Sequence, residues 1–236
     1  MKGSTPRGPS KAAADFILYT LSFLCVLGGF LFPAALRADE FSRVSRYSVR
    51  LFSYGTLVVD ARIGDLRIEG WDEPRVEIEA EKLVRASSEA KARRLYDQIR
   101  IELSGGDKEV RLRTLFPPRR PWRLFRGATK LSVNYRIQMP YDANLVVRCV
   151  DGDVRVRGIA GHQQIRVSYG DVEVTVPSLD RLRSLEARTF LGYVQSDIRG
   201  EEGAGFGRKV SFRNAEGAQD IKVRVRLGGI YVYRGE

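Results

Sequence analysis

The stretch Asp151-Gly152-Asp153-Val154-Arg155-Val156-Arg157-Gly158 decides the reading of the fold. Val154 and Val156 alternate with arginines, which puts the apolar side chains on one face of a short strand and the charges on the other. Gly-Asp opens the strand and Gly closes it. The pattern occurs earlier as Gly64-Asp65-Leu66-Arg67-Ile68-Glu69-Gly70 and later as Gly170-Asp171-Val172-Glu173-Val174, with shorter copies at Gly192-Tyr193-Val194 and Gly229-Ile230-Tyr231-Val232. A recurrence near twenty residues points to a repeat architecture, in which each unit is one strand-corner-strand step. Each glycine can take positive φ at its corner, and the neighbouring aspartate can accept hydrogen bonds from nearby backbone amides. Stacking on this register predicts an inner column of Val154, Val172, Val194 and Tyr231, and an outer ladder of Arg155, Glu173 and Gln195.

Outward from these repeats the chain stays rich in strand signals. Ser48–Phe52, Thr56–Ala61, Asp65–Glu69 and Arg75–Leu83 read as strands, and Val76-Glu77-Ile78-Glu79-Ala80 alternates almost strictly. Residues 87–98 form the one convincing helix, capped by Ser87 or Ser88, with Ala92, Leu95, Tyr96 and Ile99 on its apolar side. Ser104-Gly105-Gly106-Asp107 predicts a hairpin between strands 99–103 and 108–115. From Asn144 on, short strands are predicted at 144–150, 153–157, 165–168, 171–176, 184–187, 193–197, 209–213, 221–227 and 229–233, with Gly203-Ala204-Gly205-Phe206-Gly207 as a connector. The strand at 229–233 stands at the end of the chain and is expected to be an edge that needs protection.

Residues 1–38 have the plan of a signal peptide or N-terminal membrane anchor: a basic start, an apolar run from Phe16 to Phe32, then small residues. Residues 39–47 read as a linker and 48–236 as the β domain. Export to the periplasm or cell surface, or anchoring in the inner membrane with the domain outside the cytoplasm, is expected in either case, with membrane contact through 16–32 if the leader is uncleaved. The net charge is +11; residues 1–38 hold Lys2, Arg7, Lys11 and Arg37 against Asp15, a net of +3, which leaves +8 for the rest. Such an excess favours anionic partners. Residues 116–127 combine three prolines, four arginines and three aromatic residues and read as a long exposed loop. Arg119, Arg120, Trp122, Arg123 and Arg126 in that loop are the candidate binding residues for an anionic envelope polysaccharide or lipid. No nucleic-acid partner is expected.

Nothing in the sequence predicts a cofactor, a metal or catalysis. Cys149 alternates with Val147 and reads as a buried, inert thiol. His162 is the single histidine and sits in a turn, Gly161-His162-Gln163-Gln164. Asp65, Asp153 and Asp171 would come close together if the repeats stack, which raises carbohydrate cleavage as an alternative; their equivalent Gly-Asp settings oppose the unequal pair that glycoside hydrolysis uses.

The Gly55-Thr56-Leu57-Val58-Val59 and Gly64–Trp71 stretches, the alternating strand from Val76, the short helix and the Gly-Asp-Val repeats together resemble the bacterial family of exported β-solenoid proteins described as putative adhesins. The resemblance implies an all-β fold, a right-handed β-solenoid or an elongated stack of two sheets of short Gly-Asp-cornered strands with one short α-helix. It also implies a non-enzymatic binding or scaffolding role. A self-associating repeat domain without a ligand is the alternative within that frame.

Overall fold

A computed structural model describes residues 39–117, 131–198 and 201–235. It is all-β with one short helix. The strands run in chain order as β1 (Asp39–Ile63), β2 (Leu66–Trp71), β3 (Arg75–Ala86), then helix α1 (Glu89–Tyr96), then β4 (Arg100–Leu115), β5 (Leu131–Pro140), β6 (Asn144–Asp151), β7 (Val154–Arg157), β8 (Gln163–Tyr169), β9 (Val172–Val176), β10 (Leu182–Ser196), β11 (Glu201–Phe206), β12 (Lys209–Arg213), β13 (Gln219–Leu227) and β14 (Ile230–Arg234).

The strands form two ranks joined at glycine corners. The first rank runs β1, β6, β8, β13, β10, all parallel, with β4 outside β1 and antiparallel β12 outside β10. The second rank repeats that order as β2, β7, β9, β14 and the C-terminal part of β10, with antiparallel β11 as its border. On the other side of β2 it continues through β5 and β3 to the N-terminal part of β1. The hydrogen-bonded path therefore returns on itself through β1 and β10, ring-like without being a barrel.

Five units are thus built alike: a first-rank strand, a corner glycine, a second-rank strand. Gly64, Gly152, Gly170, Gly228 and Gly192 have φ between 126° and 151°. They stack so closely that a Cβ on Gly170 would lie 2.3 Å from the carbonyl oxygen of Gly152, and one on Gly228 would lie 2.0 Å from that of Gly170. Glycine meets both demands at once, the backbone angle and the approach. Beside the glycines runs a side-chain ladder. Asp65 Oδ1 accepts the Asp153 N–H at 3.0 Å, Asp153 Oδ1 the Asp171 N–H at 2.9 Å, and Asp171 Oδ1 the Gly229 N–H at 2.6 Å.

The inner columns supply the core. Leu66, Val154, Val172, Ile230 and Val194 are in register and buried. This corrects two expectations. The fifth corner is Gly228, one residue before the predicted one, so Ile230 enters the column and Tyr231 faces outward beside Glu173 and Gln195. The units also do not keep to chain order: β13–β14 lies between β8–β9 and β10. The last strand is therefore interior, and the borders at that end are β11 and β12.

Other differences have local causes. Residues 39–47, read as a linker, pair with residues 78–86 of β3. β1 is one strand with a register shift between Leu51 and Thr56, where Tyr54 takes φ 61°. The predicted hairpin at 104–107 is absent: Gly105 (φ 92°) and Asp107 (φ 49°) lie within a single strand, β4. The predicted connector at 203–207 is largely β11. Its glycines leave room for the Arg208 side chain, whose Nε donates to the Ala204 carbonyl at 2.7 Å. Helix α1 is shorter than predicted. Ser88 accepts the Lys91 N–H at 3.4 Å, Ala92 and Tyr96 are buried, and Lys82 Nζ donates to the Ile99 carbonyl at 2.6 Å just past the C-terminus.

Candidate functional site

Arg119, Arg120, Trp122, Arg123 and Arg126 lie outside the described residues, as does the apolar run 16–32. Among the described residues no helix is long and apolar enough to cross a membrane, and no group of three or more His, Cys, Asp or Glu side chains could hold a metal ion.

The outward faces of the two ranks differ in charge pattern. On the second rank a run of three cations is closed by an acid at each end, the register running Glu79, Arg136, Arg67, Arg155, Glu173. Arg155 and Arg157 both reach Glu173, at 3.5 and 2.9 Å, and Arg46 and Arg136 both reach Glu79, at 2.9 and 3.5 Å. On the first rank the run is longer, five cations against three. The register places Arg148 beside Arg166, Arg166 beside Arg224, Arg224 beside Arg188, and Arg188 beside Lys209. All five are exposed. Five consecutive strands thus present cations in one row, a strand spacing of about 4.8 Å apart along the backbone. Like charges directly opposite one another oppose strand pairing.

Acidic groups touch only the margins of this row. Asp60 reaches Arg148 at 3.4 Å and Arg113 at 4.0 Å. Glu186 reaches Arg188 at 3.3 Å, Lys222 at 3.7 Å and Lys209 at 4.0 Å. Arg166 and Arg224, in the middle, have no acidic partner among the described residues. Guanidinium groups in such a line offer fork-shaped donors that match carboxylates, sulfates or phosphates.

Parallel to the row, toward the starts of the same strands, lies an open groove of about 590 Å³. Val146, Gln164 and Lys222 are in register along it. Its border holds His162, Ser184 and Asp220. Ser184 Oγ donates to Asp220 Oδ1 at 2.6 Å, and Arg183 Nε donates to the same carboxylate at 2.9 Å. His162 Nδ1 accepts the Asp220 backbone N–H at 3.1 Å, which leaves the ring proton on Nε2. The serine contacts the aspartate and not the histidine, so this trio lacks the nucleophile-to-base bond that acyl-transfer triads need. The Arg183 hydrogen bond, helped by Ser184 and by the Arg183 charge, holds the Asp220 carboxyl below the usual carboxylate range against the opposing effect of burial. A smaller hollow of about 360 Å³ on the second rank is lined by Arg67, Ile68, Glu69, Arg155 and Arg157.

Asp65, Asp153 and Asp171 do stand in one column, as the stacking of repeats predicts. Each has an oxygen engaged by the next unit's backbone N–H, and the three settings are alike. Acid and base roles need unequal settings, so the column reads as structure. Cys149 is buried, its Sγ 3.8 Å from the Gly64 carbonyl oxygen, and burial pushes its thiol up to about 12.

The arginine row is not apparent from the repeats as the sequence presents them, although it carries a signal. Arg148, Arg166, Arg188 and Arg224 each precede their corner glycine by four residues. Alignment of the repeats on the residues C-terminal to each glycine leaves these arginines out, and a corner placed at Gly229 hides the fourth match.

Solved structures to which the chain is similar include bacterial proteins described as putative adhesins. A putative cell adhesion protein from Clostridium sporogenes superposes with a TM-score of 0.51 at 12% identity, covering 84% of this chain and 100% of that one. A putative adhesin from Bacteroides fragilis aligns at TM-score 0.26 and 9% identity, covering 84% and 99%. A putative lipid binding protein from Parabacteroides distasonis aligns at TM-score 0.20 and 6% identity, covering 82% and 97%. No family model and no curated protein matches the sequence. At such identities the Clostridium likeness concerns the fold alone.

Proposed function

We propose that the protein is a non-enzymatic, exported envelope module that acts as an adhesin-like binding or scaffolding surface for an anionic polymer or lipid. The observation that carries this reading is the cation row of Arg148, Arg166, Arg224, Arg188 and Lys209, whose central members have no acid beside them among the described residues. A row of like charges costs stability, and an anion laid on it relieves that cost. The Clostridium likeness supports the adhesin-type fold, and the name of the Parabacteroides protein is consistent with a lipid as ligand. The five units are read as coils of a right-handed stack, in keeping with the usual handedness of parallel crossovers. Arg119, Arg120, Trp122, Arg123 and Arg126 are proposed as a second contact with the same ligand. The leader directs the domain out of the cytoplasm, to the periplasm, to the cell surface or to the outer side of the inner membrane.

The test is binding of the protein to anionic polysaccharides and to phosphatidylglycerol vesicles across a salt series. Affinity is expected to fall steeply with salt and to drop at least tenfold when Arg166 and Arg224 are both replaced by glutamine. Binding to every anion that ignores both salt and these substitutions refutes the reading. Mass spectrometry of the N-terminus of protein recovered from the envelope distinguishes a cleaved leader from a retained anchor, and recovery only from the cytoplasm refutes export.

A further inference from the structure

We infer that the first-rank face seats a linear acidic polysaccharide running across the strands, with one carboxylate or sulfate per sugar meeting one arginine per strand. This inference rests on the anion-binding reading above and adds the ligand's class and direction.

The direction comes from the register. Arg148, Arg166, Arg224 and Arg188 recur once per strand, so their charges advance perpendicular to the strands at about 4.8 Å per step. A chain lying along one strand would meet a single arginine of the row. A chain lying across them meets all four. The groove beside the row runs the same way, through Val146, Gln164 and Lys222.

The class comes from the groups that flank the charges. A polymer seated on the arginines lies with one edge over the groove. There it meets Val146, a half-buried apolar side chain suited to the C–H face of a sugar ring. It also meets hydrogen-bonding groups with spare capacity. The Gln164 amide has no protein hydrogen-bond partner among the described residues, and the Nε2–H of His162 points away from its bond at Nδ1. Single-stranded nucleic acid is the poorer fit, because its sites interleave aromatic platforms with the cations. The line from Thr56 to Ser184 that borders the groove, the line through Val146 and the arginine row contain no Phe, Tyr or Trp. A bilayer presents its charges over a plane and gives the groove no role.

The test titrates purified full-length protein with polygalacturonate, which carries a carboxylate on every sugar, with hyaluronan, which carries one on alternate sugars, with neutral dextran, and with phosphatidylglycerol vesicles. Polygalacturonate is expected to bind at least tenfold tighter than hyaluronan at equal carboxylate concentration, and dextran not at all. The double variant Arg166→Gln, Arg224→Gln is expected to lose at least tenfold in affinity and to lower the salt slope by about two. Gln164→Ala is expected to lose threefold or more for polygalacturonate with the salt slope unchanged, a readout that charge alone would not move. Vesicle binding that depends on the arginines, without polygalacturonate binding, overturns the polysaccharide assignment and leaves the anion-binding reading standing. Equal binding of both acidic polymers, indifferent to Gln164→Ala, overturns the matched seat across the strands. Failure of every anion to bind overturns both readings. Arg166 and Arg224 are exposed and Gln164 is half-buried at the surface, so these substitutions leave the core intact, and unchanged far-ultraviolet circular dichroism confirms it.

Discussion

Replacing Arg166 by glutamine removes the middle charge of the row, and its effect on the ligand-free protein can be worked from the structure. Arg166 sits between Arg148 and Arg224 in register, with no acidic partner among the described residues. Strands are about 4.8 Å apart and long side chains splay, so the guanidinium heads are taken as about 7 Å from each neighbour. Two unit charges at that distance in water repel by about 0.6 kcal/mol. A Debye length of about 8 Å at physiological salt reduces this to about 0.25 kcal/mol per neighbour, or about 0.5 kcal/mol for the two. At 10 mM salt, where the Debye length is about 30 Å, the sum is about 1 kcal/mol. The variant should therefore be more stable than the parent, by about 1–2 °C in Tm at physiological salt and about 2–4 °C at 10 mM. The gain should vanish near 1 M salt. The control is Arg157→Gln on the opposite rank, where the guanidinium meets Glu173 at 2.9 Å; loss of this exposed pair should be neutral or destabilise by up to about 1 kcal/mol. Thermal melts of the three proteins across a salt series give the answer. A destabilised Arg166→Gln at low salt, or a gain that salt does not change, would show that the row carries no repulsion and remove the physical ground for an anion on it.

Four further outcomes are expected. Gly170→Ala places a Cβ 2.3 Å from the Gly152 carbonyl oxygen at φ 128°, and should cost about 2–4 kcal/mol in urea denaturation; a loss below about 1 kcal/mol would mean the corner column yields easily. Deleting residues 217–236 removes β13–β14, which among the described residues joins β10 to β8 and β9, so light scattering should show self-association through the opened edges, and a stable monomer would contradict the topology. The Asp220 carboxyl is held below its ordinary range chiefly by its hydrogen bond from Arg183, so the stability it adds is complete above about pH 4 and is lost as pH falls through the lower folded value; Asp220→Asn should flatten the acid limb of the stability curve, and an unchanged limb would count against it. The Cys149 thiol, pushed up to about 12 by burial, should react with iodoacetamide at pH 8 about 10³-fold more slowly in the native protein than in urea, read by mass spectrometry of its peptide.

The features legible in the residues and those that are not divide along physical lines. Strand alternation and glycine corners are local properties. Period-two burial shows in Val154-Arg155-Val156, and positive φ shows in Gly152 and Gly170, because each depends only on adjacent residues. The all-β class and the short helix with its Ser88 cap come from the same short-range chemistry, whereas the aspartate ladder joins units 18 to 88 residues apart in the chain. The cation row was half legible: an arginine stands four residues before each of four corners, but its meaning depends on which strands are neighbours.

Neighbourhood is the property that the amino-acid sequence by itself left open. Backbone ladders pair any strand edge with any other, so alternation names the buried face and not the partner. Only the tertiary structure set β13–β14 between β8–β9 and β10, drew residues 39–47 into the second rank and turned the 201–206 segment into a border strand. Those long-range pairings, decided by the packing of the whole core, bring Arg166 and Arg224 side by side from positions 58 residues apart in the chain.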